Sequence, residues 1–246
     1  MNILRKIIYF YRRKIAPGFK VGKDALVVDL GSGDKPFWRG DVFLDDLALG
    51  DNQRVTHTGV VKDFGLFVDG SLPHTPFKDK AFDFSFCSHL LEHVPDPAAA
   101  INEIMRISKA GYIEVPNGIL DTIAPFHSHL WFVYLNGSKL VFVRKSKKMH
   151  SVLSHNGKKF IPVAEKIKDP FIRFYWKDKI DYEIVNELGP AQSFSPIDEK
   201  HQAPSSAPYR TLAKLLRRLF YKPKPELTSA LKPDYEPAPA RAAVGA

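Results

Sequence analysis

The stretch Val27-Val28-Asp29-Leu30-Gly31-Ser32-Gly33 constrains this chain more than any other. A short apolar, β-branched run meets an acid, and two glycines come next. Such a run, bounded by glycine, reads as a buried strand. Glycine lacks a Cβ, so the turn beyond the strand lets a ligand approach the backbone. In an open parallel sheet, ligands bind at the carboxyl ends of the strands, at a topological switch point. Gly-x-Gly alone also fits an ordinary tight turn, so the later residues, at sheet-like spacing, have to decide. Three further strand-like runs end in polar residues. Val42-Phe43-Leu44 leads into Asp45 and Asp46, and Phe67-Val68 into Asp69-Gly70-Ser71. The run from Phe82 to Cys87 leads into Ser88-His89 and then Leu90-Leu91-Glu92-His93-Val94-Pro95-Asp96-Pro97.

In order and spacing these segments, with Leu72-Pro73, Pro76-Phe77 and Phe82-Asp83, resemble the class I S-adenosylmethionine-dependent methyltransferases of the type 11 kind. The resemblance runs from Ala25 to about Asn117, somewhat under half the chain. It implies an α/β fold with a Rossmann-like sheet, mostly parallel with an antiparallel ending, and helices on both faces. It also implies S-adenosyl-L-methionine as cofactor. Asp29 would then hold the methionine ammonium, and Gly31, Ser32 and Gly33 would run beside the methionine part. Asp45, or its neighbour Asp46, would take the ribose diol. Asp69, with Gly70, would take the adenine amine, and Ser88 would lie beside the methionine part.

The residues themselves agree. A dinucleotide site asks for Gly-x-Gly-x-x-Gly, and here Pro36 and Phe37 stand where a third glycine would be. Residues 24–138 hold 8 Lys+Arg against 16 Asp+Glu, a net of −8. An acidic strand-end site suits a cationic ligand with an ammonium, a sulfonium and a diol better than a polyphosphate.

Acceptor chemistry is carried by histidines. His89, Glu92 and His93 share a face if their segment is helical. Some relatives hold a divalent metal with a similar cluster and others show the same Leu-Glu-His-Val words without one; the expectation is no metal. His89 and His93 are candidate general bases near neutral pH. His127 and His129, before Trp131, are the others, since loops after the fifth strand of the family cover the acceptor pocket.

One cysteine, Cys87, excludes an internal disulfide and fits a reducing compartment. No apolar run reaches the about 18 residues of a membrane span. The N-terminus lacks the pattern of a secretory signal. The net charge of +9 is segregated. Seven basic and no acidic residues lie in 1–23, nine basic against Glu165 in 139–168, and six basic and no acidic in 209–225. Segregated charge points to an anionic surface partner.

In chain order, residues 2–15 predict a basic amphipathic helix stopped by Pro17-Gly18, within an N-terminal segment 1–23. Residues 24–188 form the main domain. Asp96 is the expected N-cap of a helix through Ser108, with Pro97 at its first position and Gly111 ending it. A fifth strand covers Tyr112 to Val115. A β-hairpin insertion comes after it, turning at Asn136-Gly137, with a lysine-rich continuation to about residue 168. The runs 171–176 and 180–185 read as a closing hairpin through Lys177-Asp178-Lys179. From 189 to 246 the proline content predicts a largely disordered tail. Its exception is a basic amphipathic helix at 209–222, which should need a surface to fold on.

The expected function is methyl transfer to a small-molecule, glycan or lipid-linked acceptor. The Gly-Tyr-Ile-Glu-x-Pro and His-x-Trp words at 111–116 and 129–131 resemble proteins of bacterial surface-glycan pathways. The expected place is cytoplasmic, peripheral on the inner face of an anionic membrane. Two alternatives stay open. One is an RNA or DNA methyltransferase with basic segments on phosphates; the other is a non-catalytic adaptor using the same fold.

Overall fold

A computed structural model describes residues 7–8, 10–47, 59–123, 126, 128–146, 169–186 and 206–235 of the 246. Five parallel strands carry the fold: β1 (Val27–Leu30), β2 (Val42–Asp45), β3 (Leu66–Asp69), β4 (Phe84–Ser88) and β5 (Ala110–Pro116). With β8 (Phe171–Lys177) they form one six-stranded sheet in the order β3-β2-β1-β4-β5-β8. β8 runs antiparallel to β5, with Ile113 opposite Phe174. The order reverses direction between β1 and β4, so their carboxyl ends open the crevice where such sheets bind ligands.

Alternation along the strands divides the core. Val28, Leu30, Leu44, Val68, Cys87, Ile113 and Val115 face one side. There they meet α2 (Pro97–Ile107), whose Ala100, Ile101, Ile104 and Ile107 are fully buried. Each buried isoleucine contributes about 1.5–3 kcal/mol. Asp96 caps α2 as the sequence predicts, its side chain accepting from Ala99 N at 2.9 Å. Gly111 does not end that helix, which stops at a Ser108 cap. Instead it lies within β5, where an added Cβ would sit 2.4–2.6 Å from Ser85 and Trp176. Close approach of neighbouring strands is what this glycine provides. Just beyond β5 the chain makes a short α3 (Gly118–Ile123).

Val27, Phe43, Phe86 and Tyr112 face the other side. No helix occupies the β1–β2 connection, and Phe37 and Trp38 fill that face instead. They are covered from both ends of the chain. A π-helical turn (Tyr11–Ile15) leads into a short α1 (Ala16–Phe19), and Ile15 is buried in this cluster. Pro17 sits inside α1 rather than stopping a helix, since its missing N–H falls in the first turn. Gly18 lies against Trp38, and an added Cβ would meet the indole at 2.3 Å.

From the other terminus comes α4 (Ala207–Phe220), whose Tyr209, Ala213 and Leu216 are buried in the same cluster. Tyr209 donates its hydroxyl proton to Pro36 O at 2.7 Å, and Arg217 donates to Trp38 O and Gly40 O. Beyond α4 the chain continues along the domain to Tyr235. Lys78 N donates to Ala230 O, and Lys232 N to Pro76 O. The expectation of a loose tail is therefore corrected over 206–235. Tertiary burial, which composition does not report, fixes this segment. Residues 187–205 and 236–246 lie outside the described residues, as do 1–6 of the expected N-terminal helix.

The second sheet joins β6 (Trp131–Asn136), β7 (Lys139–Arg144) and β9 (Asp181–Val185). β6 and β7 form the predicted hairpin, with Gly137 at φ +60°. The predicted closing hairpin is corrected. β8 pairs with β5, whereas β9 crosses to run parallel to β7, after a sharp turn with Asp178 at φ +64°. A strong local turn thus joins two sheets instead of two partners.

Candidate active site

β1 delivers Asp29 to the sheet end, 2% exposed, where its Oδ2 accepts from Phe37 N at 2.7 Å. Burial pushes this carboxyl up to about 7, against the opposing pull of that hydrogen bond and of Lys14. The turn after β1 folds back onto β2. Gly31 N and Ser32 N both donate to Leu44 O, at 2.8 and 3.2 Å, and Gly33 N donates to Asp45 Oδ2 at 2.6 Å. Gly31 and Gly33 take φ +72° and +52°, a region that disfavours a Cβ. A Cβ on Gly31 would also meet the Leu90 side chain at 3.2 Å. Ser32 Oγ is buried and has no partner among the described residues.

The next two acids come in register. Asp45 and Asp69 are paired at the ends of β2 and β3. Gly70 N donates to Asp45 O at 3.1 Å, and Leu47 N to Asp69 Oδ1 at 2.9 Å. Asp45, Asp69 and Ser88 thus end three strands of one sheet, and Asp29 lies one residue before the end of the fourth. Asp46 lies one residue beyond the end of β2.

At the ends of β4 and β5 lies a network with little trace in the sequence pattern. Glu114, fully buried in β5, accepts from Arg13 Nε at 2.8 Å, from Ser88 Oγ at 3.1 Å and from the Tyr112 hydroxyl at 2.8 Å. Burial raises its carboxyl, but the histidine contact and the charges of Arg13 and Lys14 outweigh this and hold it well below the carboxylate range. Lys14 Nζ donates to Ser88 Oγ at 3.2 Å, and burial lowers its ammonium to about 8. His89 has φ +58°, and its N–H donates to Glu114 O at 2.8 Å. Arg13 Nη2 lies 2.5 Å from His89 Nε2. The same Nε2 lies 3.3 Å from Glu114 Oε1, and Nδ1 lies 3.1 Å from Glu92 Oε1. With both ring nitrogens engaged, His89 is an organising residue before it is a base.

Beyond it, His93 Nδ1 lies 3.0 Å from Ser128 O, and His129 Nδ1 lies 3.0 Å from Asp121 Oδ2. Burial lowers His93 to about 4, so it is neutral at physiological pH and weakly basic there. Burial also raises Glu92, yet His89 and the neighbouring imidazoles outweigh it and hold the carboxyl below its ordinary range. His127 lies outside the described residues.

Residues 46–113 match the family model described as a methyltransferase domain. The span holds β3, β4, α2 and the start of β5, with Asp69, Ser88, His89, Glu92 and His93, and begins just after β1, the glycine turn and β2. Over this span the chain is similar to S-adenosylmethionine-dependent methyltransferases. An uncharacterised methyltransferase of Mycobacterium leprae is 28% identical over 146 residues, 56% of this chain and 54% of that protein. An uncharacterised protein of Methanocaldococcus jannaschii is 30% identical over 109 residues, 44% of this chain and 47% of its own length. The chain therefore spans about half the length of the curated relatives it matches. Among solved structures, the PH0226 protein of Pyrococcus horikoshii overlays with TM-score 0.36 and 16% identity, over 63% of this chain and 82% of that one. An S-adenosylmethionine-dependent methyltransferase of Methanosarcina mazei gives TM-score 0.31 and 21% identity, over 40% and 55%. The fold rests on the strand order itself, a mostly parallel, Rossmann-like α/β sheet.

Arg13, Lys14, Glu114, Asp121 and Lys145 went unseen in the sequence. One signal was present: Glu114 interrupts the apolar run Tyr112-Ile113-Glu114-Val115, and a charge inside a buried strand needs partners. Arg13 and Lys14 gave none, because cations on an amphipathic turn read as a solvated face.

Proposed function

We propose that this protein transfers the methyl group of S-adenosyl-L-methionine to a small-molecule, glycan or lipid-linked acceptor. The observation that carries the proposal is the pair of positive-φ glycines, 31 and 33, bonded back to β2, with buried or half-buried acids ending three adjacent strands. The cofactor supplies an activated methyl group on a sulfonium. Gly31 and Gly33 let a ligand lie on the backbone, and the unpartnered Ser32 Oγ supplies a polar atom beside it. Asp29 suits the methionine ammonium. Lys14, held near it through Ser88, supplies the opposite charge for the carboxylate of the same group. Asp45 and Asp69 suit the ribose diol and the adenine amine. Titration calorimetry with adenosylhomocysteine tests this. The wild type should bind, and Asp45→Ala should weaken binding by about 1.5–3 kcal/mol, the worth of a hydrogen bond to a charged group. A wild type that does not bind, or Asp45→Ala and Asp69→Ala variants that bind undiminished, contradict the proposal.

A nucleic-acid acceptor is the weaker reading, because basic groups of the C-terminal segment are already used within the fold. Arg217 holds main-chain carbonyls, Lys224 holds buried Asp41, and Lys214 meets Asp63. We infer instead that the face of α1 and α4 rests on an anionic membrane. Phe19, Leu219 and Phe220 are each half exposed or more, and the rings of Phe19 and Phe220 lie 5.4 Å apart. Exposed Lys20, Arg218 and Lys222 accompany them. Such apolar residues among cations suit a bilayer surface, where each cation adds about 1 kcal/mol. Among the described residues no helix is long and apolar enough to cross a membrane. Co-sedimentation with phosphatidylserine vesicles should weaken with salt and be largely lost in a Leu219→Glu, Phe220→Glu variant. Binding indifferent to both changes contradicts the inference.

A further inference from the structure

We propose that Glu92, His93 and His129 form a binding site for a first-row divalent cation, which holds a hydroxyl or vicinal-diol acceptor for methylation. The three side chains each offer one ligand atom, all within 4.8 Å of one another. This is wider than the about 3.4 Å between ligands of a tetrahedral ion with bonds near 2.1 Å. An ion would therefore draw the three inward.

Their hydrogen bonds leave the right atoms for the task. His93 Nδ1 faces Ser128 O at 3.0 Å, so that nitrogen carries the proton and Nε2 keeps its lone pair. His129 Nδ1 faces Asp121 Oδ2 at 3.0 Å, which leaves its Nε2 as a ligand too. Asp121 is itself fixed by buried Lys145, 2.5 Å away. A histidine whose second nitrogen donates to a carboxylate or a main-chain carbonyl is the usual arrangement around a metal. Here both histidines have it.

The independent observation is on Glu92. Its residue is fully buried and one oxygen, Oε1, accepts from His89. The other, Oε2, is buried with no hydrogen-bond partner among the described residues. A buried carboxylate oxygen left unpaired is costly and calls for an occupant. Two imidazoles and one carboxylate favour zinc, iron(II), manganese or cobalt over magnesium or calcium, which prefer oxygen sets. Three protein ligands also leave coordination positions for an acceptor. His93 is one-third exposed, which gives the ion and the acceptor a way in.

The cluster adjoins the strand-end site. Glu92 bonds His89, the residue after β4, and Leu90 lies over Gly31. A hydroxyl bound to such an ion loses its proton more readily. The acceptor proton passes to solvent, and an oxygen–carbon bond forms as the carbon–sulfur bond of the cofactor breaks, leaving a thioether. This role rests on the methyltransferase reading, but binding of the ion does not. The proposal departs from the sequence expectation of no metal.

The test uses the full-length protein, stripped with chelator and titrated with cobalt(II), followed by visible absorption and calorimetry. One equivalent should bind with a ligand-field spectrum of mixed nitrogen and oxygen ligation. Asp121→Asn should weaken binding by about 10–100-fold, as loss of an orienting partner does, and His93→Ala should weaken it further. Glu92→Gln should do likewise, and His74→Ala, exposed and elsewhere, should change nothing. Circular dichroism confirms folding of each variant, with half-buried His93→Ala the safest. Absence of saturable binding in the wild type overturns the proposal, as does equal binding in folded His93→Ala and Glu92→Gln. Adenosylhomocysteine calorimetry tests the methyltransferase reading separately.

Discussion

Asp29 stands at a buried strand end with its carboxyl pushed up to about 7. A cationic ligand beside it favours the ionised form and lowers that value in the complex. Binding must then release a proton, and affinity must rise as pH increases through about 7. Lys14, at about 8, loses its charge on the other side and limits the gain. Calorimetry of adenosylhomocysteine between pH 6 and pH 8.5 should show a rising limb that disappears in Asp29→Asn. Gly31 gives a second test. At φ +72°, with Leu90 3.2 Å from an added Cβ, Gly31→Ala should cost about 1–2 kcal/mol of stability in chemical denaturation. It should also weaken the ligand. The strand-end acids and glycines were legible because each comes after a recognisable apolar run. Arg13 and Lys14 were not. Their roles depend on contacts with His89, Ser88 and Glu114 some 74 to 101 residues away, which no local pattern encodes.

At the scale of elements, α4 is where sequence and structure part most. Its leucines form one stripe on a helical wheel, and that stripe reads as a face awaiting a membrane. The structure divides it. Leu216 and Ala213 face Trp38 and Phe37, while Leu215 and Leu219 point outward. The helix is amphipathic because it covers the sheet, on the face left open by the β1–β2 connection. Leu216→Ala should therefore cost about 2–5 kcal/mol of docking, as burying a leucine implies. Hydrogen exchange should show α4 opening ahead of the sheet. Leu219→Ala, 62% exposed, should stay within about 0.5 kcal/mol of wild type. Strand pairing gives the same lesson. The turn at Lys177–Lys179 was readable, but which partner each strand takes is decided by burial across distant elements.

For the molecule as a whole, residues 10–19 and 206–220 close over one face of the sheet. The N-terminal turn reaches the strand-end site through Arg13 and Lys14, and α4 buttresses the loop of Phe37 and Trp38 that holds Asp29. Ligand binding should therefore stabilise both of these segments along with the sheet. The fold class and the order of its strands could be read from residues 27–116, where hydrophobic period and turn residues agree. The covering of the second face could not, since it is built from segments more than 150 residues apart. The central claim, that the β1–β4 crevice holds an adenosyl cofactor, is tested most directly by a crystal structure with adenosylhomocysteine. It should show the ligand along Gly31–Gly33, with the ribose at Asp45, the adenine at Asp69 and the amino-acid end between Asp29 and Lys14. Ligand bound elsewhere on the chain, with this crevice left to side chains and water, would contradict it.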